Sequence, residues 1–126
     1  MIVLDTFALI FWTLDPQRLS PKAKQAIEQA DHILVSSISI WEIALKVKHQ
    51  KLDIPLPMNE YVDRLRQLGS LEILAVDIQT WLDNVDLLWD HRDPADRTIV
   101  ALATRNDCPL ITSDEMIANF FAKTIW

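Results

Sequence analysis

Short runs of apolar residues alternate along the chain with longer stretches in which apolar residues recur every three or four positions. The short runs are bounded by polar or turn-forming residues, as buried strands usually are. They predict a sheet of four to five strands, covering residues 1–4, 32–35, 71–76, 109–112 and 123–126, with the last strand at an edge.

The longer stretches predict amphipathic helices. In the clearest of them, Ile40, Ile43, Ala44 and Val47 follow the helical spacing i, i+3, i+4 and i+7. Helices are predicted over residues 6–14, 22–30, 38–49, 59–68, 78–88 and 94–105, with a short one beginning at residues 113–114. Residues 52–57 contain two prolines and are predicted to be an extended connector. Strands that alternate with helices indicate an α/β fold with a parallel sheet covered on both faces.

Length and composition narrow the possible functions. The 126 residues, 50% of them hydrophobic and 24% charged, suit a single domain over residues 1–126. The only glycine, Gly69, excludes glycine-rich phosphate loops, which need at least two. The single cysteine, Cys108, allows no internal disulfide and suits a reducing cytoplasm. The longest apolar run, residues 7–12, is far shorter than the roughly 20 residues of a membrane span, so we expect no membrane association.

Acidic residues stand where predicted strands end or predicted helices begin. Asp5 follows the first strand, Asp96 lies at the start of a helix, and Asp114 follows the fourth strand. Glu42 joins them if its helix begins over the same edge of the sheet. Because ligands of parallel sheets bind beyond the carboxyl ends of the strands, we predict that these four carboxylates cluster there.

A purely structural role is the alternative for each of these positions. Asp5, Asp93 and Asp114 fit helix N-caps, and Ser39 with Glu42 matches a capping box. A cap needs only an oxygen acceptor, however, whereas clustered carboxylates repel each other by roughly 3 kcal/mol per close pair. Such a cluster recruits a cation, and oxygen ligands favour Mg²⁺ or Mn²⁺ over zinc. The corresponding chemistry is metal-assisted hydrolysis of a phosphate ester.

Basic residues near these acids bear on the substrate. The net charge of −6 is opposite to that usual for a nucleic-acid binder. Lys46, Arg92 and Arg97 nevertheless lie beside two of the acids in sequence and are candidates for contact with phosphates. The alternative is ordinary surface solvation, with Glu42 and Lys46 forming an i, i+4 helix pair.

Hydroxyl and imidazole side chains complete the candidate chemistry. Thr6 and Thr112 follow or precede the predicted acids, where their hydroxyls would orient a carboxylate or a water molecule. They also fit turn and cap positions, which need no function. His49 and His91 are predicted to be surface residues without a chemical role.

Four segments together resemble a known family. In order along the chain they read I-V-L-D-T, S-S-I-S-I-W-E-I-A-L-K, H-R-D-P-A-D-R-T-I-V-A-L-A and L-I-T-S-D. Each segment is short and weakly specific, but their order and spacing resemble a PIN-domain ribonuclease of the VapC toxin type. The resemblance implies a three-layer α/β/α sandwich and an Mg²⁺-dependent endoribonuclease, the toxin of a type II toxin–antitoxin pair.

The resemblance also implies roles for the acids. Asp5 matches the first acid of the family, Glu42 the second, Asp96 the third and Asp114 the fourth, while Asp93 better suits the cap before the helix. Asp5 and Asp96 would hold the ion directly, and Glu42 and Asp114 would act through water. The chain departs from close relatives at one point, since these often carry histidine where Phe7 stands.

The family further implies partners. The substrate would be RNA, which Lys46, Arg92 and Arg97 are placed to contact by their positions in the sequence. A small cognate antitoxin would cover the crevice, often inserting a basic side chain among the acids, and the toxin would form a homodimer.

Two alternatives belong to other functional classes. A phospho-receiver domain is also doubly wound with an acidic Mg²⁺ pocket, but receivers need paired acids after the first strand and a lysine after the fifth. This chain offers Asp5 alone and no lysine around Asp114. The second alternative is a PIN-like binding module that has lost turnover, against which stands the presence of all four acids.

Overall fold

Five parallel strands and seven α-helices make up the protein, which a computed structural model describes over residues 1–126. The strands are β1 (Ile2–Leu4), β2 (Ile33–Ser36), β3 (Leu71–Leu74), β4 (Leu110–Ile111) and β5 (Thr124–Ile125). The helices are α1 (Thr6–Leu14), α2 (Pro21–Gln29), α3 (Ser37–Lys48), α4 (Met58–Gln67), α5 (Ile78–Asp86), α6 (Pro94–Arg105) and α7 (Glu115–Phe120). The longest, α3 and α6, have 12 residues each. No helix combines the length and the apolar character needed to cross a membrane.

The sheet has the strand order β3-β2-β1-β4-β5, with every neighbouring pair parallel. In the central strand, Leu4 pairs with Val35 of β2 on one side and with Ile111 of β4 on the other. From β1, the strands β2 and β3 lie on one side and β4 and β5 on the other. The sheet therefore has a switch point between β1 and β4, and ligands of such sheets bind there. Receiver domains have the order 2-1-3-4-5 instead, so the phospho-receiver alternative is wrong.

Helices cover both faces of the sheet and create two separate cores. Ile2 and Leu4 belong to a cluster of 16 buried residues that includes apolar side chains of α1, α2 and α4. Val3, between them, belongs to a cluster of 11 buried residues built mainly on α6. Because side chains alternate across a strand, the single strand β1 contributes side chains to both cores. The predicted three-layer α/β/α architecture is confirmed.

Several element boundaries differ from the predictions. The helix predicted from residue 38 begins at Ser37, because Ser36 ends β2 and caps α3 by accepting a hydrogen bond from the Ile38 N–H at 3.2 Å. The helix predicted from residue 59 begins at Met58, because the Pro57 carbonyl already accepts a hydrogen bond from the Tyr61 N–H. A short 3-10 helix over Pro16–Arg18 was not predicted.

The third strand is also shorter than predicted. It ends at Leu74 rather than at residue 76, because its partner β2 ends at Ser36, which pairs with Leu74, and the chain then turns into α3. By contrast, the predicted connector over residues 52–57 contains neither helix nor strand.

Candidate active site

The four predicted carboxylates lie near one another at the switch point. Asp5 directly follows β1, Asp114 follows β4 and caps α7, Asp96 lies in the first turn of α6, and Glu42 lies in the second turn of α3. Their charges act on each other: Asp96 and Asp114 both raise the pKa of Asp5, and Asp96 raises the pKa of Glu42. We call these four residues the acidic cluster.

Asp5 is fixed by two hydrogen bonds to different elements. Its Oδ1 accepts the Ala8 N–H at 2.8 Å, which caps α1, and its Oδ2 accepts the hydroxyl proton of Thr112. The Thr112 hydroxyl in turn accepts the Asp114 N–H at 3.1 Å. Thr112 therefore connects two members of the acidic cluster. Both oxygens of Asp5 thus accept one hydrogen bond each, and a carboxylate has further lone pairs that could bind a cation, so the structural and functional interpretations are compatible.

Burial dominates the electrostatics of Asp5, which is only 6% exposed. The pKa of Asp5 is raised to about 6, chiefly by burial and also by the charges of Asp96 and Asp114, against the lowering effect of the hydrogen bonds from Thr112 and Ala8. Only five ion pairs occur in the protein, and none involves Asp5, Glu42 or Asp114. The cluster thus concentrates negative charge without a lysine or arginine in direct contact, although the charge of Lys46 lowers the pKa of Glu42.

A pair of hydroxyl groups positions Glu42. Thr6 donates a hydrogen bond to Glu42 Oε1, and the Thr6 hydroxyl lies 2.9 Å from the hydroxyl of buried Ser39. Since a carboxylate can only accept and Thr6 has one proton to donate, Ser39 supplies the proton of the Thr6–Ser39 hydrogen bond. Burial raises the pKa of Glu42, whereas the hydrogen bond from Thr6 lowers it. The predicted capping box between Ser39 and Glu42 is wrong, because the N-cap of α3 is Ser36, three residues before Ser39.

Asp96 makes a hydrogen bond with His91, whose Nε2 lies 2.8 Å from Asp96 Oδ2. Burial raises the pKa of Asp96, and the hydrogen bond to His91 lowers it. The imidazole ring of His91 also lies against Trp89, with ring centroids 4.7 Å apart, and Trp89 stacks on Phe120 at the same distance. The prediction that His91 is a surface residue is therefore wrong, because its side chain is largely buried against Asp96 and Trp89.

Arg97 holds the segment that carries His91. Its guanidinium donates to the backbone carbonyls of Asn84, Leu87, Trp89 and His91, at 2.7, 3.0, 2.5 and 3.0 Å. Further contacts to the Asn84 side chain and the Val85 carbonyl occupy the remaining donors. Because all five guanidinium N–H groups have acceptors within the protein, the prediction that Arg97 contacts RNA is corrected to a structural role.

The other two basic candidates remain free of such contacts. Arg92 is exposed and takes part in no hydrogen bond or ion pair. Lys46 does not form the i, i+4 ion pair with Glu42 that the sequence allowed, because the Glu42 carboxylate faces Thr6. Its ammonium instead lies over the ring of Phe7.

The oxygen-rich donor set of the acidic cluster fits a hydrated hard cation. No group of three or more His, Cys, Asp or Glu side chains is placed to hold a metal ion by itself. Mg²⁺ usually takes one or two carboxylates and keeps several of its waters, so such a cage is not required. One or two carboxylates binding directly, with the others acting through water, would suit the residues present.

Two residues of the site escaped the sequence analysis. Ser39 precedes Glu42 by three positions, which places both on one face of a helix, so its contribution was detectable from spacing. His91 lies in an irregular segment, and its contact with Asp96 depends on how Arg97 folds that segment. No local pattern encodes such a contact.

Comparison with known proteins identifies the fold family. The PIN domain family matches residues 2–121. The chain belongs to the PIN-domain family. It is also 31% identical over 123 residues to Ribonuclease VapC22 of Mycobacterium tuberculosis, covering 92% of this chain and 88% of that protein. The resemblance to VapC-type PIN domains is thereby confirmed.

Solved structures show the same architecture. A toxin–antitoxin complex from Klebsiella pneumoniae contains a chain with a TM-score of 0.68 and 20% identity, covering 100% of this chain and 97% of that one. VapC20 of Mycobacterium tuberculosis, a toxin that cleaves the sarcin–ricin loop, gives a TM-score of 0.62 at 15% identity and covers 94% of both chains. At these identities the two structures establish the fold of this PIN domain.

The raised pKa of Asp5 predicts a pH-dependent stability. The folded state holds the Asp5 proton more tightly than the unfolded chain, so this contribution is complete below about pH 4 and is lost as the pH rises through about 6. In metal-free buffer, Asp5→Asn should be more stable than the wild type at pH 8 by up to about 3 kcal/mol, and equally stable near pH 3.5. Urea unfolding across this range measures the difference. Asp53→Asn, in the exposed connector, is the control, and a pH-independent gain would contradict the assignment.

Arg97 should be essential for stability, whereas Arg92 should not. Arg97→Met leaves several backbone carbonyls without donors and should lower the free energy of unfolding by at least about 2 kcal/mol. Arg97→Lys should not restore it, because an ammonium cannot reproduce the planar fork of donors. Arg92→Met is the matched control and should be near neutral. Denaturant titration of the three variants provides the measurement, and a stable Arg97→Met protein would refute the structural role.

Proposed function

We propose that this PIN domain is an Mg²⁺-dependent endoribonuclease and the toxin of a type II toxin–antitoxin pair. One observation carries the proposal: the acidic cluster lies at the switch point of the sheet, partly buried and without an ion-pair partner for Asp5, Glu42 or Asp114. Supporting it, a relative that shares 31% identity is named a ribonuclease.

The proposed roles follow from what holds each carboxylate. Asp5 and Asp96 would bind the ion directly, with Mn²⁺ as a possible substitute for Mg²⁺. The hydrogen bonds from Thr112 and His91 fix the orientation of these two side chains. A bound divalent ion would polarise the phosphodiester and lower the pKa of water.

The remaining residues would control the attacking water. Glu42, oriented by Thr6, and Asp114, whose Oδ1 is engaged as the cap of α7, would hold water molecules at the edge of the cluster. Attack of water on the phosphorus breaks the bond to the 3′ oxygen, which leaves as a 3′-hydroxyl, while the phosphate stays on the 5′ end of the other fragment. Carboxylates with a raised pKa are suited to accept the proton of that water.

Cleavage assays test this assignment. Asp5→Asn and Asp96→Asn should each reduce Mg²⁺-dependent cleavage of total RNA by more than about 100-fold, because even indirect partners of a metal ligand affect activity by 10- to 100-fold. Asp93→Asn is the matched control: it removes one neighbouring charge, but asparagine caps α6 as well as aspartate does. Sequencing the 5′ ends of the products identifies the cut sites.

The same assay separates an enzyme from the binding-module alternative. Cleavage by the wild type that disappears with EDTA and returns with Mg²⁺ supports catalysis. Binding of RNA without any cleavage would favour the module. Undiminished cleavage by Asp5→Asn would remove the proposed mechanism.

We propose two protein partners as well. A small antitoxin with a basic segment would cover the acidic cluster, since the uncompensated carboxylates attract cationic side chains. A second copy of this chain would bind the exposed apolar stripe on α5. Ile78, Trp81, Leu82 and Val85 follow helical spacing on this stripe, and their exposed fractions are 79, 44, 53 and 74%.

This stripe supports a two-fold dimer. Contiguous exposed apolar residues usually mark an interaction site, and a helix stripe can pack against its own copy across a two-fold axis. Leu88, 96% exposed just beyond the helix, extends the stripe. Trp41 and Trp81 also line a neighbouring cavity of about 470 Å³.

Substitution on the stripe should dissociate the dimer without unfolding the monomer. Val85→Glu places a charge at the centre of the proposed interface, and light scattering should show a shift from dimer to monomer mass. Gln67→Glu adds the same charge on the exposed side of α4 and should leave the mass unchanged. A monomeric wild type, or a dimer that Val85→Glu does not affect, would contradict this interface.

A further inference from the structure

Phe7 is an exposed aromatic ring beside the acidic cluster. It lies in the first turn of α1, between Thr6 and Ala8, which contact Glu42 and Asp5. Its exposed fraction is 49%, whereas the four apolar residues that follow it directly, at positions 8–11, are buried. Core packing therefore does not account for a large apolar side chain at this position.

A cation and a second ring hold Phe7 in place. Lys46, one helical turn after Glu42 on α3, places its Nζ 4.9 Å from the centroid of the Phe7 ring. The Phe11 ring lies one turn further along α1, with its centroid 5.9 Å from that of Phe7 and its plane tilted by 38°. The ring is thus oriented by its neighbours but keeps about half of its surface open to solvent, which lowers the entropic cost of using it for binding.

The Lys46 ammonium is available for an anionic ligand. It forms no ion pair, although its charge lowers the pKa of the nearby Glu42. An exposed ring with an adjacent unpaired ammonium suits a nucleotide, because bases stack on aromatic side chains and phosphates attract cations. Because the acidic cluster repels a polyanion, we expect such a ligand to approach from the side on which Lys46 lies.

We propose that Phe7 and Lys46 form a nucleotide subsite of single-stranded RNA, in which the base next to the scissile phosphate stacks on Phe7 and a neighbouring phosphate contacts Lys46. This subsite rests on the proposed ribonuclease function and adds a residue that selects unpaired over paired substrate. A base inside a duplex is already stacked and cannot reach the ring. The subsite therefore favours cleavage in loops and single strands.

Substitutions of Phe7 separate ring stacking from general apolar contact. Phe7→Leu should raise KM for an unstructured RNA oligonucleotide by about 5- to 150-fold, with a smaller change in kcat. Phe7→Tyr keeps the ring and should retain the wild-type KM. Equilibrium binding of the same fluorescent oligonucleotide in EDTA provides a readout without catalysis. An oligonucleotide with abasic sugars should bind wild type and Phe7→Leu equally.

Substitutions of Lys46 test the phosphate contact. Lys46→Gln should reduce the slope of log Kd against log salt concentration by about 0.7, the value for one phosphate contact on a single strand. Lys48→Gln, on the exposed end of the same helix, is the matched control and should leave the slope unchanged. Unchanged slopes for both variants would overturn the role of Lys46.

The outcomes distinguish this subsite from the proposed function. A wild type that neither cleaves nor binds RNA would overturn the ribonuclease proposal and the subsite with it. A wild type that cleaves RNA, together with a folded Phe7→Leu variant of unchanged KM and Kd, would overturn the subsite alone. If Phe7→Leu instead weakens binding of the antitoxin and leaves RNA binding intact, the ring is a protein contact and the nucleotide proposal is wrong.

Discussion

The register between β1 and β4 determines the whole site. Pairing of Leu4 with Ile111 places the next residues, Asp5 and Thr112, side by side beyond the strand ends, where the Thr112 hydroxyl donates to the carboxylate. Side chains alternate across a strand, so a slip of β4 by one position would turn Thr112 into the opposite layer. Asp5 would then be buried without that donor, and Asp114 would lose its connection to it through Thr112.

The charge of Asp5 is stabilised in a different way from that of acids in ion pairs. Two exposed acids elsewhere in the protein, Asp77 and Asp107, have basic partners in Arg105 and Lys123. Asp5 instead receives only neutral donors, from Thr112 and the Ala8 backbone. Hydrogen bonds stabilise its ionised form but leave its charge in place. Burial of this charge lowers the stability of the fold at neutral pH, a common compromise in functional sites, and it agrees with the proposed role of Asp5 as a cation ligand.

Local features of the sequence were sufficient to locate the acids but not to define their surroundings. Asp5 and Asp114 were predictable because a strand end and a helix start both follow from neighbouring residues. The contact between His91 and Asp96 was not predictable, because residues 87–91 have no regular structure and are held in place by hydrogen bonds from the Arg97 guanidinium. The start of α3 was misplaced for a related reason: Ser36, Ser37 and Ser39 are all good caps, and only the end of β2 decides between them.

Capping and the proposed catalytic role are compatible explanations for these carboxylates. Three helices, α1, α6 and α7, begin at this edge of the sheet with Asp5, Asp93 and Asp114 as their N-caps. Each helix start carries partial positive charge, which stabilises nearby anions by roughly 0.3–1 kcal/mol. The same N-termini that require acceptors therefore also reduce the repulsion within the acidic cluster. A parallel sheet with helices starting at its carboxyl edge can gather several acids there before any metal binds.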